Sequence, residues 1–231
     1  MEADAHDSEP AQDTATTREA KVTPANAAGV STLIRLIILR NTNRSRGCRE
    51  AALWQIGVTI ISRNSWRAKG SGWIAFFEKA GKDYKFSTDI LMAIASRETN
   101  MRNIIGDGGH GFGIMQIDSG SYPDWCHAGL WKDVNAAIQQ GALVFDSKRE
   151  MIRNGQGKTL KIRKPPTTFT GKPNLTNAEL LRTAIAAYNG GLWAYWGLCE
   201  RDDQDWRTTG KNYSSDTLTR AKVFKKLLIA G

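Results

Sequence analysis

The chain has 231 residues, a formal net charge of +9 at pH 7 and a sequence pI of about 9.6. This length allows one folded domain, and the positive charge favours a polyanionic partner: nucleic acid, an anionic membrane surface or a charged cell wall. Three scattered cysteines are too few for a disulfide framework or a paired-cysteine zinc site, and the apolar runs are too short to span a bilayer, so we expect no membrane insertion.

The N-terminal third of the sequence divides into two parts. Residues 1–29 carry hardly any large apolar side chains, so we expect a disordered leader, and their acidic composition does not match a classical secretory signal. Residues 30–69 mix basic clusters with short apolar runs. There the strand-like VTIIS competes with the helix-like EAALWQI, and we predict an N-terminal appendage of undecided structure.

Two helices are predicted after residue 70. An apolar stripe from Trp73 to Ala80 predicts the first, and Gly81 is interpreted as its stop. Ser87 is the expected N-cap of the second helix, whose inward stripe ends in the carboxylate of Glu98.

The middle of the chain predicts one small β element and one more helix. Residues 111–118 alternate between apolar and polar side chains, which indicates a short strand or hairpin. A helix is expected to begin near Asp133. Residues 154–175 are rich in glycine, proline and lysine, and we predict a loop or basic insertion that either is simply solvated or grips an anionic wall polymer.

The C-terminal part predicts two further helices. Thr176 and Glu179 have the spacing of a capping box, and the helix that follows should stop at Gly190. A last amphipathic helix is predicted over 215–229. The expected fold class is therefore α+β, predominantly α-helical.

Glu98 is the first candidate for chemistry. It lies one helical turn beyond Ile94 and two beyond Leu91, so the face that packs against the core ends in a carboxyl group. Partial burial disfavours the charged form and raises the pKa, which suits a general acid near neutral pH. The alternative is a glutamate that frays into water at the end of a helix.

Other motifs predict neither a metal nor a cofactor. The glycines of GDGGHGFG fit a dinucleotide fingerprint in spacing only, because a helix precedes them where that fingerprint requires a strand. The three histidines have no metalloprotease spacing. The acidic stretch ERDDQD at 200–205 lacks the spacing of a calcium-binding EF-hand loop, and we interpret it as a solvated acidic loop.

Three segments together resemble the goose-type (g-type) lysozyme family. They are SRE at 96–98, GDGGHGFGIMQID at 106–118 and AYNGG at 187–191, and they keep the family's order and spacing. The resemblance covers residues 70–231. It implies a catalytic domain with a lysozyme-like fold, in which a small β-hairpin lies beside the active-site cleft.

The resemblance also implies an activity and a set of site residues. The expected reaction is hydrolysis of the β-1,4 bond between N-acetylmuramic acid and N-acetylglucosamine in peptidoglycan, with no cofactor. The catalytic residues it implies are Glu98 as general acid, with Asp107 and Asp118 positioning the attacking water. The cleft residues it implies, which bind sugar or hold the acid, are Gln116, Tyr188, Asn189 and Tyr213.

Several alternatives remain open. A lytic transglycosylase would cleave the same bond without water, although it has no use for a water-positioning pair of aspartates. A non-catalytic binder of cell wall or nucleic acid is the third hypothesis, and the sequence shows no basic helix interleaved with aromatic residues that would favour nucleic acid. We expect a monomer that acts on peptidoglycan outside the cell or at the bacterial wall.

The cysteines offer one further hypothesis. Cys126 and Cys199 each follow a predicted cleft element, so a disulfide between them would tie the two walls of the cleft together. The alternative is that both are free and buried, as is common for cysteine. Tyr188 has a similar ambiguity, because it is either a cleft residue or a core tyrosine with a satisfied hydroxyl.

Overall fold

The computed structural model describes residues 59–65 and 67–230. The leader predicted at 1–29 and most of the appendage predicted at 30–69 lie outside these residues. Backbone at 59–65 and 67–70 is helical. At its described residues VTIIS is therefore part of a helix, and the strand alternative is wrong there.

The rest of the described chain is mostly helical, as predicted. The helices are α1 (Trp73–Tyr84), α2 (Thr88–Thr99), α3 (Pro123–His127), α4 (Val134–Gly155), α5 (Asn177–Gly190), α6 (Leu192–Arg201) and α7 (Tyr213–Ile229). The strands are β1 (Ile105–Gly106), β2 (Gly111–Phe112), β3 (Ile117–Asp118), β4 (Thr159–Arg163) and β5 (Pro166–Thr170). The predicted α+β, predominantly helical class is confirmed.

The strands form two antiparallel sheets. In the first, β1 pairs with β2 and β2 with β3, so that Gly111 lies opposite both Gly106 and Asp118. The predicted short strand or hairpin at 111–118 is thus the larger part of a three-stranded sheet. The second sheet is the hairpin of β4 and β5.

The helices pack around α2, which is buried along most of its length. Helix α7 packs against α2, while α4 packs against both α1 and α5. Leu91 and Ile94 of α2, Phe145 of α4, Ile185 of α5 and Phe224 of α7 are completely shielded from solvent. Burial of these side chains provides most of the driving force that holds the helices together.

The N-termini of α2, α4 and α5 lie where the sequence predicts them. Asp133 is the N-cap of α4 and accepts from the Asn135 amide at 2.8 Å. Thr176 and Glu179 form the complete capping box at the start of α5. Ser87 is the N-cap of α2, as predicted, although its side chain makes no capping hydrogen bond; its carbonyl accepts from the Ile90 amide at 3.1 Å.

Gly81 does not stop α1, which continues to Tyr84 and ends at Lys85 in the left-handed conformation. The physical reason for the glycine is close backbone approach. A Cβ built on Gly81 would lie 2.6 Å from the carbonyl oxygen of Phe86, on the segment that leads into α2. The prediction of a stop is therefore wrong, because the glycine is required by the close approach of the backbone that follows the helix and not by the end of the helix itself.

Within the basic segment 154–175, residues 159–170 form a hairpin, so the loop interpretation is wrong there, while the interpretation as a basic insertion is not contradicted. Ile162 of β4 and Phe169 of β5 are buried, and Phe169 meets the Tyr195 ring edge-on at 5.9 Å. Lys161 and Arg163 alternate with Ile162 and are exposed. The hairpin thus packs its apolar face on the protein and presents its basic face to solvent.

The predicted disulfide is wrong, because both described cysteines are free thiols. The Sγ atom of Cys126 is buried 3.8 Å from the carbonyl oxygen of Ile117, while the Sγ atom of Cys199 accepts from the Lys172 amide at 3.2 Å. Each sulfur therefore sits in its own local environment. Burial raises the pKa of both thiols, which lowers their reactivity.

Cations stack on indole rings around α6. Arg207 lies over Trp193 at 3.8 Å and Arg201 over Trp206 at 3.7 Å. Basic and aromatic residues are therefore interleaved on this surface, which the sequence analysis did not recognise. Among the helices in the described ranges, none combines the length and the apolar character needed to cross a bilayer.

We predict that Gly81→Ala destabilises the fold by about 1–3 kcal/mol, because the new methyl group would press on backbone that cannot rotate away. Gly70→Ala is the matched control, since a Cβ at Gly70 meets nothing within 4 Å. It should be neutral or stabilising by up to about 1 kcal/mol. Urea unfolding measures both, and equal stability of the two variants would contradict the prediction.

Candidate active site

The centre of the site is a contact between the end of one helix and the start of another. Glu98 is partly buried in the last turn of α2, and Tyr213 is the first residue of α7. The Tyr213 hydroxyl donates a hydrogen bond to Oε1 of Glu98. Tyr213 itself is only 2% exposed, so this donor is held in place by packing.

The environment of Glu98 brings the pKa of its carboxyl group close to neutral pH. Burial raises its pKa from 4.5 to about 7, against the lowering effects of the Tyr213 hydrogen bond and the Arg97 charge. The negative charge of Asp107 raises it further. Burial also raises the pKa of Tyr213 well above its ordinary value, so the phenol remains a donor. The raised pKa expected from the helical stripe is confirmed.

Arg97 supports this contact, and the sequence analysis did not single it out. Its guanidinium forms an ion pair with Asp216 at 2.9 Å and donates to Oδ1 of Asn212 at 3.1 Å. The same group lies 5.6 Å from the centre of the Tyr213 ring. Arg97 therefore ties the last turn of α2 to the first turn of α7 from the residue next to Glu98.

The glycine-rich turn is shaped by Gln116. The Nε2 atom of Gln116 donates to the carbonyl oxygens of Gly113 at 2.9 Å and Ile104 at 3.2 Å. A Cβ on Gly106 or Gly111 would lie 2.2 or 2.5 Å from Oε1 of Gln116. A side chain at either position would therefore have to displace Gln116 from these hydrogen bonds.

Asp107 opens a short 3-10 turn at the end of β1 and is exposed, with a positive φ of 48°. Its charge acts on Glu98, so the two carboxyl groups belong to one electrostatic site. Such a backbone conformation is uncommon for a residue other than glycine and marks a position held by its surroundings.

Asp118 is exposed on β3, across the ladder from Gly111. Its Oδ2 atom accepts from the Ser121 hydroxyl at 2.7 Å and its Oδ1 atom from the Gly120 amide at 3.2 Å. The hydrogen bond from the Ser121 hydroxyl, followed by those from the Gly120 and Ser121 amides, holds the Asp118 pKa below its ordinary value. Asp118 is thus an ionised carboxylate whose orientation is fixed by the turn that follows it.

Tyr188 and Asn189 lie at the end of α5. The Tyr188 hydroxyl donates to the Met115 carbonyl at 2.8 Å, as expected for a core tyrosine with a satisfied hydroxyl. Glu98 is near enough to raise the Tyr188 pKa further, after burial. Asn189 is exposed, and its Oδ1 atom accepts from the Thr209 amide at 2.8 Å.

The acidic stretch 200–205 is not wholly solvated. Asp205 is only 3% exposed and accepts from the Ser214 amide at 2.8 Å and the Ser214 hydroxyl at 2.6 Å. The interpretation as a solvated loop is wrong for this residue, because α7 places its N-terminus against it. Within the described ranges no group of three or more histidine, cysteine, aspartate or glutamate side chains is arranged to hold a metal ion.

The site can therefore supply a carboxyl group of raised pKa as proton donor and two exposed acidic side chains on the separate segment 107–118. The structure brings Glu98 and Tyr213 into contact and places Asp107 within electrostatic reach of them. Asp118 lies one strand away from the turn that carries Asp107. This arrangement suits acid-assisted cleavage of a bond to oxygen.

Comparison with known proteins agrees with this chemistry. The family model described as Lysozyme g matches residues 71–227. The lysozyme g of Cyprinus carpio is 27% identical over 162 residues, which cover 68% of this chain and 75% of the carp protein.

Two avian proteins are similar at the same level. The lysozyme g of Struthio camelus is 28% identical over 156 residues, which cover 66% of this chain and 65% of the ostrich protein. The lysozyme g of Gallus gallus is 27% identical over 153 residues, which cover 64% of this chain and 62% of the chicken protein. The chain thus spans slightly less than two thirds of these two relatives. Since the family model matches well over half of the chain, the protein belongs to the lysozyme g family of glycoside hydrolases.

Proposed function

We propose that the protein is a muramidase that hydrolyses the β-1,4 bond between N-acetylmuramic acid and N-acetylglucosamine in peptidoglycan, with inversion at the anomeric carbon. The observation that carries the proposal is Glu98, a half-buried carboxyl group whose pKa is raised to about 7 and which is held by the Tyr213 hydroxyl. A carboxylic acid that is still protonated near neutral pH can donate to a leaving oxygen.

The mechanism has one proton transfer and one attack by water. Glu98 protonates the glycosidic oxygen as the bond to the anomeric carbon breaks. Asp107 and Asp118 orient a water molecule on the opposite face of the sugar. Its oxygen forms the new bond to the anomeric carbon, and one of the two carboxylates accepts its proton. Asp107 lies in the turn after β1 and Asp118 on β3, so both are on segments separate from α2, which supports the separation of acid and base that an inverting enzyme requires.

The remaining cleft residues have supporting roles. Tyr213 holds the acid, and Tyr188 fixes the end of α5 to the segment that carries Gln116. Gln116 shapes the turn of Asp107 through its contacts with the glycines beside it. The Oδ1 atom of Asn189 accepts from the Thr209 amide, so the side-chain amide nitrogen of Asn189 is the group that donates to substrate.

The catalytic unit comprises residues 70–231, which contain the whole family match at 71–227. It acts as a monomer on glycan strands of peptidoglycan, at the bacterial wall outside the cell. It needs neither nucleic acid nor insertion into a membrane. The net charge of +9 supports attraction to an anionic wall.

A lytic transglycosylase is the alternative that shares the acid. That reaction closes the muramyl ring on itself and leaves a 1,6-anhydro end, whereas hydrolysis leaves a reducing end. Mass spectrometry of muropeptides released from purified walls distinguishes them, because the anhydro product is lighter by one water. Anhydro ends as the main product would replace the proposed hydrolysis with transglycosylation.

Glu98→Gln should abolish turnover, because an amide cannot donate the proton. In the unsubstituted enzyme, kcat/KM should fall as pH rises through about 7, where Glu98 loses its proton. Muropeptide release measured across pH tests both statements. Substantial activity of the glutamine variant, or no loss of activity above neutral pH, would contradict the role of Glu98.

The same substitution predicts a change in stability. The Glu98 pKa of about 7 lies above its ordinary 4.5, so the folded state binds the proton more tightly than the unfolded chain, and stability falls as pH rises from about 4.5 through about 7. Glutamine removes this loss. Relative to the unsubstituted protein, the variant should therefore gain about 2 kcal/mol between acid and mildly alkaline pH, after allowance for partial exposure. Urea unfolding at both pH values measures this difference.

An inverting mechanism predicts an α-anomeric product. Proton NMR in the first minutes of oligosaccharide cleavage reports the anomer before mutarotation, and a β-product would exclude the mechanism. Asp107→Asn combined with Asp118→Asn should cost much more activity than either change alone, because each carboxylate can orient the water. If either single change already abolishes turnover, the two aspartates do not share this role.

The net charge predicts a substrate-dependent response to salt. Cleavage of whole walls should decrease once the Debye length falls below roughly 8–10 Å, because added salt screens the attraction to an anionic polymer. Cleavage of a soluble, uncharged chitooligosaccharide should change much less. Equal sensitivity on the two substrates would show that charge does not direct the enzyme to the wall.

A further inference from the structure

Asp205 has no task in the proposed reaction, yet it is one of the most deeply buried charged groups in the described chain. We infer that Asp205 is a positioning residue for the acid: it fixes the N-terminus of α7 and thereby places the Tyr213 hydroxyl against Glu98. This inference rests on the proposed role of Glu98.

The carboxylate of Asp205 serves as the cap of α7 from outside the helix. Oδ1 accepts from the Ser214 amide at 2.8 Å, while Oδ2 accepts from the Ser214 hydroxyl at 2.6 Å and the Ser215 amide at 3.3 Å. Amides in the first turn of a helix have no partner within the helix, and a negative charge there also interacts favourably with the helix dipole. Asn212 is at the N-cap, but its side-chain oxygen accepts from Arg97.

A second path connects Asp205 to the backbone of Tyr213. The Thr208 hydroxyl lies 2.9 Å from the Asp205 carbonyl and 3.1 Å from Oδ1 of Asp205. The same Thr208 oxygen accepts from the Tyr213 amide at 3.3 Å. Asp205 therefore holds Tyr213 through Thr208 on one side and through Ser214 on the other.

Tyr213 connects the fixed end of α7 directly to Glu98. Tyr213 and Ser214 are both buried, so the first turn of α7 cannot shift without disturbing packing. The Tyr213 phenol reaches Glu98 only because its backbone is fixed at this point. Loss of the Asp205 contacts would free the helix end and lengthen or break the bond to Glu98.

The charged and titratable groups around Glu98 and Asp205 decide in which direction the Glu98 pKa should change. Those that act on Glu98 or respond to it are Arg97, Asp107, Tyr188 and Tyr213. Near Asp205, Nη2 of Arg182 lies 4.0 Å from Oδ2, and Oδ1 of Asp203 accepts from the Asp205 amide at 3.0 Å. The Tyr213 bond lowers the Glu98 pKa, so loss of positioning must raise it. Mere removal of a negative charge at Asp205 would do the reverse.

The experiment follows the carboxyl carbon of Glu98 by 13C NMR as pH is varied. Tyr213→Phe should raise the Glu98 pKa by about one pH unit, since a hydrogen bond to a charged group is lost. Asp205→Asn should also raise the Glu98 pKa, and in the double variant this pKa should be no higher than in Tyr213→Phe alone. An unchanged or lowered pKa in Asp205→Asn, or additive increases in the double variant, would overturn the inference.

Two further variants complete the design. Asp202→Asn removes an exposed carboxylate of the same acidic stretch and should leave the Glu98 pKa unchanged. Ser214→Ala removes one bond to Asp205 and keeps the backbone bonds, so it decides the question if Asp205→Asn does not fold: it should raise the Glu98 pKa by a smaller amount, and no rise would contradict the inference.

Activity provides an independent readout. Asp205→Asn should lower kcat by about tenfold or more with little change in KM, as expected when the acid is misplaced and substrate binding is intact. A higher KM with unchanged kcat would contradict the positioning role. If the unsubstituted protein releases no muropeptides, the proposed function fails, while the titration still reports whether Asp205 places Tyr213 against Glu98.

Discussion

The site depends on one constraint, which is that a carboxyl group must be kept partly out of water with a single strong donor against it. Burial raises the pKa of Glu98, and full exposure would leave it an ordinary glutamate that is ionised at neutral pH. The hydrogen bond from the Tyr213 hydroxyl offsets part of the effect of burial on the Glu98 pKa, because it stabilises the charged form that burial disfavours. The chemistry therefore requires that the end of α2 and the start of α7 meet within hydrogen-bonding distance.

The interface between α2 and α7 supplies that accuracy. Asp216 on α7 lies between two cations, Arg97 at 2.9 Å and Arg220 at 2.8 Å. Arg220 also donates to the Ser96 hydroxyl at 2.9 Å, so both helices share one network of charges and hydroxyls. Because these groups are partly buried, their geometry is more restrictive than that of a surface pair, and the network fixes the register of one helix on the other.

The sequence predicts the helices and the acid but not the contacts that depend on tertiary packing. Periodicity alone identified the face on which Glu98 lies, and its pKa follows from that face. The alternation in β4 was also present in the sequence, but prolines and glycines around it favoured a loop. Gly81 and Asp205 could not be interpreted from periodicity, since Gly81 is constrained by the Phe86 carbonyl beyond the end of its helix and Asp205 accepts from the first turn of the helix that follows it.

The packing of Gln116 has a consequence for how such a sequence can diverge. Its side chain occupies the space that a Cβ on Gly106 or Gly111 would need, and it also bonds to the backbone on both sides of the turn. A side chain at either glycine requires Gln116 to move or to become smaller, and either change leaves the Ile104 and Gly113 carbonyl groups without this donor. The three positions are thus expected to change together across homologues. An intermediate sequence with only one of the changes should be less stable than either end state.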